Sequence, residues 1–197
     1  MKVGNLRILL GDTNASSRSR IKKMLLASGY QMAGEADEGM AVLRQARITK
    51  PDVAVISEDI KGLSAFQVAA VLTEDRLCPA VIVARSSSPE FIRAAKESKA
   101  AGIIPRPVQH AFLVAALEFA YENYCLLNAR EREIEELRER LESRRLIERA
   151  KGILMQNLKI SEEEAYRYLQ KCSMNQRISM KQMAEAVIMS EGALRKR

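Results

Sequence analysis

The sequence predicts an α/β fold for the first 125 residues, with a doubly wound parallel sheet, followed by a long helix and a small helical bundle. Three observations predict this architecture. Short runs of Val, Ile, Leu and Ala recur along the first part of the chain, and segments with helical spacing separate them. Such alternation is typical of a parallel sheet covered by helices on both faces. After residue 107 the strand-like runs stop and a continuous helical pattern begins.

The predicted sheet has five short strands. They are RILLGD (7–12), YQMAGEA (30–36), VAVIS (53–57), AVIVA (80–84) and AGII (101–104). The first helix follows the first strand, with Ile21, Met24 and Leu25 on its apolar face and Gly29 at its end. The other connecting helices are predicted at Met40–Ala46, Phe66–Leu72 and Glu90–Lys99. Right-handed crossovers between such strands predict a flavodoxin-like, doubly wound five-stranded parallel sheet.

A single helix is predicted to run for more than 40 residues from Val108, because no proline follows Pro107 and no glycine lies between Val108 and Gly152. Within residues 126–143, apolar residues fall seven, three and four positions apart. They are Leu127, Ile134, Leu137 and Leu141. An apolar seam flanked by charges of both signs predicts a coiled-coil dimerisation helix, and therefore a homodimer. The alternative is a single solvated helix supported by Glu–Arg pairs.

Residues 144–197 are predicted to form three helices. The long helix continues into this segment. A capping box formed by Ser161 and Glu164 opens the second helix, which runs through Cys172, and the third begins near Ser179. Three short helices can bury a small core, which is marginally stable alone. Dimerisation through the preceding helix would stabilise the bundle.

Charge is distributed unevenly along the chain. Residues 144–197 hold 12 basic and 6 acidic residues, a net charge of +6, against +3 for residues 1–125 and −2 for residues 126–143. A segment this basic attracts polyanions, of which nucleic acid is the commonest. The alternative interpretation is a solvated surface that is rich in Lys and Arg.

Several classes of protein are excluded by composition. No run approaches the ~18 apolar residues of a membrane span, and the first residues lack the apolar stretch of a signal peptide. The widely spaced Cys78, Cys125 and Cys172 fit no disulfide framework or zinc motif, and the lone His110 has no metal-ligand neighbours. We therefore expect a cytoplasmic protein that needs no metal or cofactor and contacts no membrane.

Residues 6–125 resemble a response-regulator receiver domain. The landmarks are Asp12-Thr13-Asn14 with Arg18, Pro51-Asp52 before the third strand, Gly62 after it, and Pro105-Arg106-Pro107. The resemblance implies a site for aspartyl phosphorylation, which uses a carboxylate nucleophile, two further acids for Mg²⁺, a hydroxyl and a Lys.

Four of these five positions are altered in this chain. Asp12 retains the first acid, but Thr13 replaces the second, Ser57 stands at the nucleophile position, Ala84 at the hydroxyl position and Arg106 at the Lys position. A serine cannot form the acyl phosphate, and one acid supplies too little negative charge for Mg²⁺. We expect a degenerate pocket that is retained for its fold, with another ligand or modification left open.

Residues 144–197 resemble the ANTAR domain, the RNA-binding module of bacterial transcription antiterminators. The matching landmarks are the run Ile147-Glu148-Arg149-Ala150-Lys151-Gly152-Ile153-Leu154-Met155, then Ser161-Glu162, Ala165-Tyr166, Leu169, Ser173-Met174, Met180 and Met183-Ala184. The resemblance implies a homodimeric antiterminator that binds paired RNA hairpins in nascent transcripts near a terminator. An enzyme is not expected.

Basic, amide and aromatic side chains in this segment are the candidate RNA contacts, because they hold phosphates or read unstacked bases. They are Arg145, Arg149, Lys151, Gln156, Tyr166, Gln170, Lys171, Arg177 and Lys181. Two other classes stay open, a DNA-binding response regulator and a protein-interaction adaptor. A regulatory sensor protein is left open as a further partner.

Overall fold

A computed structural model describes residues 5–85 and 88–194, with side chains as far as Glu191. The chain divides into two compact units between Asn128 and Ala129. This division lies three residues beyond the predicted end of the first domain at residue 125. The two predicted outer limits, residues 1 and 197, lie outside the described residues.

The first unit contains a sheet of five parallel strands in the order β2-β1-β3-β4-β5. The strands are β1 (Arg7–Gly11), β2 (Gln31–Ala36), β3 (Val53–Ser57), β4 (Ala80–Ala84) and β5 (Gly102–Pro105). All five predicted strands are present, and the flavodoxin-like order is confirmed. Gly11 pairs with Ile56, Ser57 with Val83 and Ala84 with Pro105. The carboxyl ends of β1, β3, β4 and β5 therefore meet at one edge of the sheet.

Four helices connect the strands. They are α1 (Ala15–Ala27), α2 (Gly39–Thr49), α3 (Ala65–Glu74) and α4 (Pro89–Glu97). The side chains of Asn14, Ser64 and Ser88 accept backbone N–H groups at the starts of α1, α3 and α4. These caps satisfy donors that a helix start leaves without a partner. Gly29 follows α1 at φ 84°, a left-handed conformation that glycine adopts without strain.

Successive strand residues pack against opposite faces of the sheet. Leu9 and Ile56 lie in a core with α2, α3 and α4. Leu10 and Val55 lie in a second core with α1 and the start of the long helix that follows β5. Since successive side chains along a strand alternate in direction, strands buried on both faces need an unbroken apolar sequence. That requirement explains why VAVIS and AVIVA lack alternating polar residues.

Helix α5 (His110–Leu158) is continuous over 49 residues. Its first turns bury Leu113, Leu117 and Ala120 in the core of the first unit. Every residue from Ala129 to Glu142 is exposed, and Ala150 and Leu154 are buried again in the second unit. The predicted long helix is confirmed. Within the described residues, no helix is both long and apolar enough to cross a membrane.

The second unit packs the last turns of α5 against α6 (Glu162–Gln176) and α7 (Met180–Leu194). The buried centre contains Ala150, Ala165, Leu169 and Ala184. The predicted capping box is present, because the Ser161 hydroxyl accepts the N–H at the third helical position and the Glu164 carboxylate accepts the Ser161 N–H. Small residues at the centre allow these three helices to approach closely.

Candidate functional site

The first candidate site lies at the carboxyl edge of the sheet. Asp12 follows β1, Ser57 ends β3 and Arg106 follows β5. Ligands of open α/β folds bind at this edge, since the loops after the strands converge there. The structure brings together three of the five positions that the sequence analysis singled out.

The Arg106 guanidinium joins these positions. Its Nη2 donates to Asp12 Oδ2 at 3.1 Å and to Ser57 Oγ at 2.7 Å, and its Nη1 donates to Ser17 Oγ at 2.8 Å. The Asp12 side chain is only 1% exposed, and its Oδ1 accepts the Asn14 N–H at 2.8 Å. A buried carboxylate needs such compensation, because an unpaired buried charge is strongly unfavourable.

Thr13 and Ala84 occupy the remaining two positions. The Thr13 hydroxyl donates to Asp37 O at 2.8 Å and accepts the Lys61 N–H at 3.0 Å. It therefore ties together the loops that follow β1, β2 and β3. Ala84 is buried at the end of β4 and offers no hydroxyl.

The neighbouring carboxylates do not restore the missing chemistry. Glu58 accepts the Arg85 N–H at 2.8 Å, and Asp59 forms an ion pair with Arg85 at 2.9 Å. Ser57 keeps its place in the β3–β4 register, so no slip of the strand brings either acid to the nucleophile position. With Asp12 already paired to Arg106, the donor set does not fit Mg²⁺. In the described part of the chain, no three residues of metal-ligating type are clustered as a metal ion would require.

The second candidate site is the surface of the second unit, where the structure exposes seven of the nine predicted RNA contacts. The exposed ones are Arg145, Arg149, Gln156, Tyr166, Gln170, Lys171 and Arg177. On α5, Arg145, Arg149 and Gln156 are four and seven residues apart and share one helix face. On α6, Tyr166 and Gln170 also share a face. The structure thus presents basic, amide and aromatic groups to solvent on two helices.

Lys151 differs from these exposed residues. Its side chain is 8% exposed, and its Nζ donates to Glu148 Oε1 at 2.8 Å and to Glu162 Oε1 at 2.7 Å. These hydrogen bonds raise the pKa of Lys151, and the same contact lowers the pKa of Glu162. The structure gives Lys151 a bridging position between α5 and α6. Its contact with RNA stays a prediction.

Lys181 is half-buried and also paired. Its Nζ lies 2.5 Å from Glu142 Oε2, and this hydrogen bond raises the pKa of Lys181. Lys181 and Tyr166 line one cleft of about 720 Å³, which Arg140 and Arg144 of α5 also line. The other predicted RNA contacts do not line this cleft.

Several residues of both sites were not predicted from the sequence. They are Ser17 beside Arg106, and Arg140 and Arg144 in the second cleft. Glu148 was detectable as a partner of Lys151, because the two are three residues apart on one helix. Glu162 was not, since it lies on another helix and only the tertiary packing brings it to Lys151.

All four residues of the predicted dimer seam are exposed in the single chain. The exposed fraction ranges from 49% for Ile134 to 69% for Leu141, with Leu127 and Leu137 between them. Phe112, Phe119 and Leu126 are also exposed on α5, which the sequence analysis did not note.

Comparisons with known proteins agree with both parts of this architecture. The ANTAR domain family model matches residues 135–188 and begins nine residues before the predicted boundary at residue 144. The transcriptional regulatory protein PdtaR of Mycobacterium tuberculosis is 30% identical over 186 residues, which span 94% of this chain and 91% of that protein. The DNA-binding transcriptional activator EvgA of Escherichia coli is 22% identical over 121 residues, or 61% of this chain and 59% of EvgA.

Solved structures match the first unit. The receiver domain of the response regulator NarL from Mycobacterium tuberculosis superimposes with a TM-score of 0.56 at 27% identity, covering 59% of this chain and 96% of that structure. The receiver domain of a modulated diguanylate cyclase from Desulfovibrio desulfuricans gives a TM-score of 0.58 at 24% identity, covering 61% and 97%. Both show the receiver fold.

Proposed function

This chain belongs to the family of transcriptional regulators that join a receiver domain to an ANTAR domain, and from that premise we propose that it is a transcription antiterminator that binds paired RNA hairpins. The assignment to this family rests on the similarity to PdtaR, which spans nearly the whole of both chains, and on the match to the ANTAR domain model. The target is nascent RNA, so the protein acts in the cytoplasm. Its function is one of binding and not of catalysis.

The observation that carries this proposal is the row of exposed Arg145, Arg149 and Gln156 on one face of α5, together with the exposed Tyr166 and Gln170 on α6. Guanidinium groups bind phosphates, often through two parallel hydrogen bonds. A tyrosine ring stacks on a base that a hairpin loop has unstacked, and an amide reads its edge. These groups suit the loops of RNA hairpins better than an A-form helix, whose major groove is closed to side chains.

RNA binding is tested with the full chain and an RNA that carries two hairpins ahead of a terminator. Arg149→Ala and Lys171→Ala should each weaken RNA binding, because each removes a phosphate contact. In vitro transcription should show increased read-through of the terminator with the native protein and not with these variants. Arg132→Ala, an exposed arginine of the same helix outside the bundle, is the matched control and should bind normally. Circular dichroism checks that each variant is folded.

Two outcomes would support the other classes. Equal affinity for duplex DNA of the same sequence would favour a DNA-binding response regulator. Absence of affinity for either nucleic acid would favour a protein-interaction adaptor, in which the second unit contacts another protein. Identification of the RNA that co-purifies with the protein would name the transcript.

We propose that this protein works without aspartyl phosphorylation. Ser57 cannot form an acyl phosphate, and the Arg106 guanidinium already pairs with Asp12. Treatment with acetyl phosphate and Mg²⁺ should therefore leave the intact mass of the protein unchanged. A stoichiometric phosphate adduct on Ser57, Glu58 or Asp59 would contradict this proposal.

We propose further that α5 joins two chains into a homodimer through Leu127, Ile134, Leu137 and Leu141. The support is their exposure, since each chain alone leaves four large apolar side chains in water. A coiled coil would cover them. A sensor protein that regulates the dimer is compatible with the receiver fold and is part of the same proposal.

A further inference from the structure

A cleft at the carboxyl edge of the sheet is lined by three arginines, and we propose that it binds a small phosphorylated metabolite of nucleotide size. The cleft has a volume of about 480 Å³. Small-molecule sites commonly measure about 300–1,000 Å³. The three arginines come from α1 (Arg20), from the loop after β4 (Arg85) and from the loop after β5 (Arg106). The cleft lies in the first unit, whereas the residues proposed to bind RNA lie in the second.

The charge of the cleft favours an anion. No acidic residue is among the described residues that line it. Arg106 is paired with Asp12, and Arg85 forms one exposed ion pair with Asp59. Arg20 makes no ion pair or side-chain hydrogen bond with any residue in the described ranges. Guanidinium groups match the geometry of phosphate oxygens, and several around one cleft form a phosphate site.

The remaining lining groups favour an organic phosphate over the free ion. The Ser17 hydroxyl adds a polar group, whereas Ile21 and Val108 supply an apolar wall. Inorganic phosphate has no apolar surface to place against this wall. A nucleoside diphosphate has both a phosphate group and a planar base, which can also stack on a guanidinium.

Arg106 connects this cleft to the buried pocket. It lines the cleft, and it also donates to Ser17, Asp12 and Ser57. Its Nε is buried and has no hydrogen-bond partner among the described residues. A phosphate in the cleft would compete with Asp12 and Ser57 for this guanidinium. Ligand binding would thus change the hydrogen bonds of Ser57. This residue stands at the position that is phosphorylated in receiver domains with an intact site.

The test measures binding of ADP and of inorganic phosphate to the full chain by isothermal titration calorimetry. ADP should bind, and more tightly than phosphate. The double variant Arg20→Ala with Arg85→Ala should bind ADP about tenfold more weakly or worse, since hydrogen bonds to charged groups are lost. Arg44→Ala with Arg93→Ala removes two exposed arginines of the same unit outside the cleft, and it should bind ADP with unchanged affinity.

A second measurement does not depend on the variants. In NMR spectra of the native protein, ADP should shift the amide signals of Ser17, Arg20 and Arg85. The proposal is wrong if ADP does not bind at millimolar concentration, if the double variant binds it as tightly as the native chain, or if the shifts fall only on residues 129–197. Equal affinity for phosphate and ADP would overturn the assignment of an organic ligand.

Discussion

Arg106 compensates the charge of Asp12, which is buried at the end of β1. Replacing Arg106 by Ala should lower the free energy of unfolding of the first unit by about 3 kcal/mol, because it leaves an uncompensated buried carboxylate. Adding Asp12→Asn to this variant should restore part of the loss, since the buried charge is then gone. Urea denaturation followed by circular dichroism measures both values. If the double variant is no more stable than Arg106→Ala, the ion pair between Arg106 and Asp12 does not stabilise this pocket.

The residues of this pocket could be located from the sequence, because each follows an apolar run whose end is sharply defined. Asp12 follows RILLG and Ser57 ends VAVIS. Their contacts could not be predicted. Ser17 reaches Arg106 across 89 positions of sequence, and the pairing depends on how α1 packs on the sheet. Lys151 was predicted as an RNA contact for its charge alone, and its burial between Glu148 and Glu162 follows from the packing of two helices.

Among the helices, the start of α6 should be sensitive to pH. Hydrogen bonds from the backbone N–H and the hydroxyl of Ser161 lower the pKa of Glu164. A carboxyl whose pKa is lower in the folded state stabilises that state above its unfolded pKa, about 4.3, and loses this contribution as the pH falls through the folded pKa. Hydrogen-exchange protection of the first α6 amides, corrected for intrinsic rates, should therefore decrease on acidification below about pH 4.3.

Glu164→Gln is the control for this pH dependence. Its amide oxygen can still accept the Ser161 N–H, but it does not titrate. Protection at the start of α6 should then change little over the same pH interval. An equal loss of protection in this variant and in the native chain would assign the pH sensitivity to another group, such as Glu162.

Helix α5 carries the proposed dimer seam over its exposed central turns. Ile134→Asp combined with Leu141→Asp should convert the dimer to a monomer, because two chains would bury four charges at the seam, at a cost of several kcal/mol. Sedimentation at micromolar concentration measures the change. The matched control is Ala129→Asp combined with Arg132→Ala, which changes the charge by the same amount off the seam and should stay dimeric. A dimeric seam variant would place the interface elsewhere.

The presence of each helix and strand was more predictable from the sequence than the residue at which it ends. Every strand and helix was predicted from apolar periodicity, and the continuous α5 followed from the absence of Pro and Gly between Val108 and Lys151. The end of α6 was placed too early, at Cys172, whereas the helix continues to Gln176. The apolar pattern ends at Leu169 and Cys172, but Arg177 closes the helix in a left-handed conformation that no residue type at this position signals.

For the whole molecule, dimerisation and RNA recognition should be coupled. A dimer that holds one hairpin binds a second on the same transcript as an intramolecular step, which can raise the affinity by about 10²-fold or more. The native chain should therefore prefer an RNA with two hairpins to one with a single hairpin. The Ile134→Asp, Leu141→Asp variant should lose this preference and keep its affinity for one hairpin. Fluorescence anisotropy with the two RNAs measures both effects, and a retained preference would contradict the coupling.

The pairing of Lys151 and Lys181 with glutamates has a consequence for how the proposed RNA binding should depend on salt. When a free lysine meets a phosphate, counterions are released, and on single strands each contact contributes about −0.7 to the slope of log affinity against log salt. Lys151 and Lys181 already hold Glu148, Glu162 and Glu142. A phosphate reaching either lysine exchanges one anion for another, and the displaced carboxylates must recruit cations. The measured salt slope would then indicate fewer phosphate contacts than the RNA makes with the protein. At these positions the glutamates of the protein act as the counterions of the lysines.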